Sequence, residues 1–313
     1  MDVHAQRSAQ VPQGSEFLKS MGYPTEREAF SIVRSGNVLN VPYSVDNVKW
    51  FFDIYGAQVA GLRGKTTKKK ITLATMYDTG LKEQIIDQVL VGDVMHVACE
   101  KFFISMSSPL ELTIVTLLKS LEKEDLGTGV QSHLSMLQIR GFNPIRLMVN
   151  PHKMLTALET SFPGTEVDLS GAGDHLSKID SKIRRVKETA WSIVAGLPFK
   201  LGRARAKDLV TYAVSRVNMK STSGLNDCTC PRVRFTGLKP EFKNEFGLAF
   251  RDYVEVYNPR AENRSSDMLT MRTEPCITLY PSANKNGSWV MLNLNSNSYD
   301  RRSQWRKLPT RLC

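Results

Sequence analysis

Val91-Gly-Asp-Val-Met-His-Val-Ala-Cys-Glu-Lys-Phe-Phe-Ile-Ser-Met106 is the stretch on which the fold of this chain turns. Val91 to Val97 and Phe102 to Met106 are apolar runs rich in Val, Met and Phe. The four residues between them, Ala98 to Lys101, complete the pattern of a strand-turn-strand hairpin. Asp93 sits inside the first run. A carboxylate in an apolar strand costs free energy unless a metal or hydrogen bonds partner it, so Asp93 is a candidate functional acid. The plainer alternative is a strand-end acid facing solvent. His96 alternates away from Asp93 along the strand and reads as structural.

Working outward, helix and strand patterns alternate. A third apolar segment, Leu110 to Leu118, precedes a helix from Glu122 to Arg140 with Leu126, Val130, Leu134 and Leu137 on one face and Gly141 at its end. A strand from Ile145 to Val149, a short helix near Met154 to Thr160 and a strand from Thr165 to Leu169 follow. The loop Ser170-Gly-Ala-Gly-Asp174 leads into a basic helix, Lys178 to Val194. Another helix, Arg203 to Met219, turns Leu209, Val210, Ala213, Val214 and Val217 inward. This alternation predicts an α/β core over residues 85–220.

The polar residues 1–20 are expected to be a disordered tail, and 21–75 a helical segment with a basic linker. Its helices are predicted over Glu26 to Arg34, closed by Gly36, and over Ser44 to Tyr55, where Val48, Phe51, Phe52 and Tyr55 form the apolar stripe. Gly64-Lys65-Thr66 in the linker is no nucleotide loop, because Val59 stands where the earlier glycine is required. Residues 231–313 read as short strands, among them Tyr253 to Tyr257, Cys276 to Tyr280 and Trp289 to Leu294. Turns such as Asn258-Pro259 and Asn286-Gly287 separate them, which predicts a small β-barrel with a basic tail from Arg301 to Lys307.

Composition narrows the function. No run approaches the ~20 apolar residues of a membrane helix, and the first 15 residues lack a signal-peptide stretch, so no membrane partner is expected. Five scattered cysteines read as reduced thiols of an intracellular protein. The net charge of +11 is localised. Lys178 to Lys243 holds 15 Lys and Arg against 5 Asp and Glu, whereas Asp78 to Gly127 holds 9 acids against 4 bases. A basic surface beside an acidic region suits a polyanion such as DNA with cations nearby, and a nuclear location follows from that partner.

The candidate chemistry is metal-dependent work on phosphodiesters. Two divalent ions bridged by two or three carboxylates hold an attacking and a leaving oxygen in line. Asp93 and Asp180 are candidate ligands of Mg²⁺ or Mn²⁺. Asn150, between the strand ending at Val149 and Pro151, stands where a third carboxylate is wanted. On a helical wheel Asp180, Arg184, Lys187 and Trp191 share one flank, while Ile179, Ile183, Val186, Ala190, Ile193 and Val194 share another. Lys178, Lys182, Arg184, Arg185 and Lys187 are the candidate DNA contacts. The alternative for Asp180 is an acid at the third helical position, capped by Ser177 and paired with Arg184. Asp168 and Asp174 are either turn residues or compensating acids. His133, His152 and His175 stand alone, and Cys228-Thr-Cys230 lacks a second pair, so no zinc is expected.

Residues 44 to 307 resemble the integrase of copia-type LTR retrotransposons. That family pattern reads Glu, a basic residue four on, an acid eight on and then Leu-Pro; here stand Asp180, Arg184, Glu188 and Leu197-Pro198. Lys207 to Asn218 resembles the helix after the family's core. Phe235-Thr-Gly-Leu-Lys-Pro240 with Phe246-Gly247 resembles the segment before its C-terminal β module, and Ser288-Trp289 through Arg301-Arg302 and Trp305 that module's end. The resemblance implies a ribonuclease-H-like core carrying an Asp, Asp, Glu triad, occupied here by Asp93, Asn150 and Asp180. It also implies DNA as partner and homo-oligomerisation. The linker Gly61 to Lys70 resembles the pre-integrase segment without its zinc-binding His and Cys. The neutral Asn150 removes a negative charge from between two dications, which implies impaired strand transfer. A non-catalytic DNA-binding or chromatin-interaction protein of integrase descent is the competing expectation.

Overall fold

The computed structural model of the chain describes residues 15–55, 86–149, 162–169, 177–220, 229–237, 239–257, 273–282 and 287–307. Two N-terminal helices form where the capping signals place them. In α1 (Glu26–Arg34) the Thr25 side chain accepts from Glu28 N–H, and the Glu28 carboxylate accepts from Thr25 N–H, a reciprocal cap. Helix α2 (Val45–Tyr55) opens on Ser44 and Asn47, which exchange side-chain and backbone bonds in the same manner. Residues 15–20, assigned by composition to a disordered tail, are instead helical. Phe17 and Leu18 are buried there with Met21, Ile32, Phe51 and Phe246. Two adjacent apolar side chains outweigh the polar average of the stretch.

The hairpin forms and runs longer than expected. Strand β1 (Asp87–Val97) pairs antiparallel with β2 (Glu100–Ser108). Ala98 and Cys99 have φ of 50° and 63°, the two left-handed residues of a tight hairpin turn. Glu100 and Lys101, expected in the turn, therefore belong to β2. At Gly92 a Cβ would lie 2.7 Å from Phe103 Cζ, so the close approach of that ring requires glycine.

Strand β3 (Thr113–Leu118) adds beside β2, and the core helix α3 (Lys123–Gln138) crosses over to β4 (Asn143–Val149), which lies parallel to β1. Strand β5 (Glu166–Leu169) completes the order β3-β2-β1-β4-β5. On one face Leu90, Phe103, Leu147 and Val149 pack against Leu126, Val130, Leu134 and Leu137 of α3. The other face, with Val91, Met95, Ile104 and Met106, receives α4 (Ser177–Ala195) and α5 (Ala206–Val217). Each fully buried Leu or Phe contributes about 1.5–3 kcal/mol, which fixes the sheet between its two helical layers.

Asn218, at the end of α5, donates to Thr113 O and accepts from Thr113 N–H, acting as a substitute strand partner where β3 begins. Helix α5 also touches a second sheet: the Tyr212 ring lies 5.5 Å from Phe250 and 6.2 Å from Trp289. The C-terminal region departs from the expectation of strands alone. Two short helices come first, α6 (Pro231–Thr236) and α7 (Phe242–Phe246). Pro231 in the first turn and Gly237 at φ 67° start and stop α6, stronger signals than the β-propensity of Val233 and Phe235.

Strands β6 (Tyr253–Tyr257), β7 (Thr273–Pro281), β8 (Trp289–Asn293), β9 (Tyr299–Arg302) and β10 (Trp305–Lys307) follow. Their order, β10-β6-β7-β8-β9, puts consecutive strands at opposite edges. Only Ser303 and Gln304 join β9 to β10, so the sheet must be rolled to bring its edges together. No ladder joins β9 to β10 among the described residues, so these strands make a rolled sheet and not a closed barrel.

One core histidine sets an acid limit on this fold. His133 is buried in α3, with Ser105 Oγ 2.8 Å from Nδ1 and Thr116 Oγ1 3.0 Å from Nε2. Burial pushes the imidazole down from 6.5 to about 3. Between those values the unfolded chain takes up a proton that the folded chain refuses, so stability falls as pH falls, by up to about 1.4 kcal/mol per pH unit. Urea unfolding of wild type and His133→Gln from pH 7 to pH 4 should show the wild type's advantage shrinking steadily. A pH-independent difference would contradict the buried neutral imidazole.

Candidate nucleic-acid and metal site

Strand alternation assigns Asp93 to the same face of β1 as Val91, Met95 and Val97, the face covered by α4 and α5. Its cross-strand neighbour, Ile104, belongs to the same core. The Asp93 carboxylate is half-buried, and its Oδ1 accepts the Val94 N–H at 2.7 Å. Among the described residues, the last pair between β1 and β4 is Gly92 with Val149, the residues immediately before Asp93 and Asn150. Asn150 itself lies outside the described residues, as do Asp174, His152, His175, Cys228, the helix expected near Met154 to Thr160 and the loop from Ser170 to Asp174. Asp168 is half-buried on β5, opposite Met148 of β4.

Helix α4 presents the flank drawn from the helical wheel. Ile179, Val186, Ala190 and Ile193 are buried, whereas Lys178, Asp180, Arg184, Arg185 and Trp191 are exposed and Lys187 is half-buried. Arg184 makes its ion pair with Glu188, at 3.9 Å, rather than with Asp180. Both Glu188 and Asp180 stand four residues from Arg184, and the partner on the C-terminal side is the one engaged.

Lys182 sits differently from the other bases. It is buried, and its Nζ lies 2.9 Å from Glu111 Oε2 in the turn after β2. A buried ammonium needs such a partner, and the pair ties the first turns of α4 to the β2–β3 connection. The signal was present in the spacing: Lys182 stands three residues after Ile179 and four before Val186, on the inward face. Glu111, at φ 63°, carries no local signal that marks a turn acid as the partner of a lysine 71 positions away.

Asp93, Asp180 and the side-chain oxygen of an asparagine are hard donors of the type Mg²⁺ and Mn²⁺ take. Among the described residues no group of three or more His, Cys, Asp or Glu side chains is placed to hold a metal ion. The half-buried carboxylate of Asp93 and the exposed one of Asp180 belong to elements packed together on one face of the sheet. Ile179 and Val186 of α4 and Val91 and Met95 of β1 share that core. No helix among the described residues is long and apolar enough to cross a membrane.

No protein-family model matches the chain, and no curated protein sequence matches it. Among solved structures, the chain is similar to the catalytic core domain of BIV integrase. The identity is 9% and the TM-score 0.35, with 48% of this chain and 93% of that one covered. It is also similar to a chain of the simian T-cell lymphotropic virus intasome in complex with PP2A regulatory subunit B56 gamma. There the identity is 8% and the TM-score 0.42, covering 90% of this chain and 97% of that one.

Proposed function

We propose that this chain is a DNA-binding protein of integrase type, built on a ribonuclease-H-like core of the copia lineage, with strand-transfer chemistry impaired by Asn150. The observation that carries the reading is the register of the central sheet. Among the described residues, β1 and β4 are paired as far as Gly92 and Val149, the residues that precede Asp93 and Asn150. Helix α4, bearing Asp180 and its exposed bases, packs on the face assigned to Asp93. A two-metal phosphodiester site would need Asp93, Asn150 and Asp180 to meet on that face, with one of the three ligands neutral. Asp93 and Asp180 would hold Mg²⁺ or Mn²⁺, which supplies charge neutralisation at the phosphate. Lys178, Arg184, Arg185 and Lys187 would grip the backbone, Lys182 being engaged by Glu111. The rolled C-terminal sheet would serve as the barrel-like module of such a protein, and nuclear DNA would be the partner of a homo-oligomer.

The neutral ligand favours a second reading, in which binding has outlived catalysis. Duplex binding measured from 50 to 200 mM salt separates the two. A protein neutralising several phosphates loses affinity steeply, with a log–log slope near −0.9 per contact. Binding of this kind that is indifferent to Asp93→Ala and to metal is expected if catalysis is lost. Metal-dependent nicking abolished by Asp93→Ala is expected if it persists. A protein that binds no DNA at any of these salt concentrations overturns both readings.

A further inference from the structure

We infer that the exposed flank of α4 takes an unpaired nucleotide, stacked on Trp191, in addition to the phosphates held by its bases; this rests on the DNA-binding reading above. Trp191 leaves 55% of its surface in water, about one turn before the C-terminal end of a helix whose other side packs on the core through Ile179, Val186, Ala190 and Ile193. Tryptophan is highly buried on average, and Trp289 is 0% exposed in the core that α4 and α5 also enter. A bare indole on a helix is therefore a surface awaiting a planar partner.

Its neighbours say which partner. Arg184 and Lys187 precede Trp191 by seven and four residues, so all three lie within a narrow stripe of the helix surface. At 1.5 Å per residue, Arg184 and Trp191 are about 10 Å apart along the axis, a distance that a few nucleotides span. Arg185, also exposed, widens the basic side of the stripe, and Glu188 takes up part of the charge of Arg184. A cationic track that ends on an exposed aromatic face is the arrangement that binds single strands, bases stacking on the ring while the backbone follows the charges. Base pairs in an intact duplex present no free face to the indole, so the preference is for a frayed or overhanging end.

The test compares a blunt duplex, the same duplex with a five-nucleotide overhang, and the overhang strand alone, against wild type, Trp191→Ala and Trp191→Phe. Trp191→Ala should leave blunt-duplex affinity within about twofold. It should weaken the tailed duplex and the single strand by tenfold or more, as loss of one stacked base does elsewhere, while Trp191→Phe retains most of the affinity. Equal losses on blunt and tailed DNA, or none, would overturn the proposal while leaving general DNA binding intact. Failure of wild type to bind even the blunt duplex would remove the DNA-binding reading itself and this proposal with it. A change in sedimentation coefficient with Trp191→Ala, at unchanged preference for tails, would reassign the indole to contact between copies.

Discussion

Asn150→Asp should raise Mn²⁺-dependent nicking of plasmid DNA by about 100-fold or more over the natural chain, and Asp93→Ala in that background should abolish the gain. The substitution is nearly isosteric, since a carboxylate oxygen replaces the amide nitrogen. Its effect on folding should therefore be small beside its effect on charge. In a two-metal site the bridging ligand sits between two dications and offsets their repulsion. An amide offers an oxygen but no charge, and several kcal/mol of stabilisation of the phosphoryl transition state go with it. Each 1.4 kcal/mol is a factor of ten in rate. Mn²⁺ is the better probe because it tolerates softer and less regular ligand sets than Mg²⁺. If Asn150→Asp binds DNA as the natural chain does yet gains no cleavage with either metal, residues 93 and 150 do not share a metal site, and the catalytic half of the proposal fails.

The local elements of the core were legible because their signals are local. Helix α1 ends where Gly36 stops it and begins at the Thr25 cap. Leu126, Val130, Leu134 and Leu137 are buried on α3 as their spacing implies. The hairpin around Ala98 and Cys99 differed in the tightness of its turn and the length of its strands. What could not be read was set by partners distant in sequence. Lys182 looks like a surface base until Glu111 is seen beside it, and Asn218 like a helix terminator until it is seen holding Thr113. Phe17 and Leu18 sit in a stretch whose composition is polar, and only contact with Phe51 and Phe246 explains their order. Of the candidate site, Asp93 on a core strand and the exposed flank of α4 followed from periodicity. The proposed meeting of residues 93, 150 and 180 depends on tertiary geometry, which periodicity does not carry.

Arg216→Ala should cost about 3–5 kcal/mol of unfolding free energy, more than any surface substitution in the chain. Arg216 is fully buried on α5, with its guanidinium carbon 4.9 Å from the Tyr212 ring centroid and 4.8 Å from that of Phe246. Its Nη2 donates to Glu245 Oε1 at 3.2 Å, and its Nη1 donates to Glu245 O at 3.1 Å and to Ser20 O at 3.4 Å. One side chain thus joins the segment of residues 15–20, the helix behind the central sheet and α7. Removing it leaves the Glu245 carboxylate, also buried, without its ion-pair partner and the Glu245 carbonyl short of a donor, while Ser20 O keeps the Tyr212 hydroxyl. The loss is therefore larger than the net contribution of the ion pair. Replacing both partners, as in Arg216→Met with Glu245→Gln, should cost clearly less than the sum of the two single changes, because neither charge is then stranded. Denaturant midpoints of the four proteins measure that coupling. Limited proteolysis should cut Arg216→Ala first near residues 15–25, where the segment loses its anchor. Additive costs, or an unchanged N-terminal cleavage rate, would mean that Arg216 merely fills space and that the N-terminal helices are held by Phe17, Leu18 and Met21 alone.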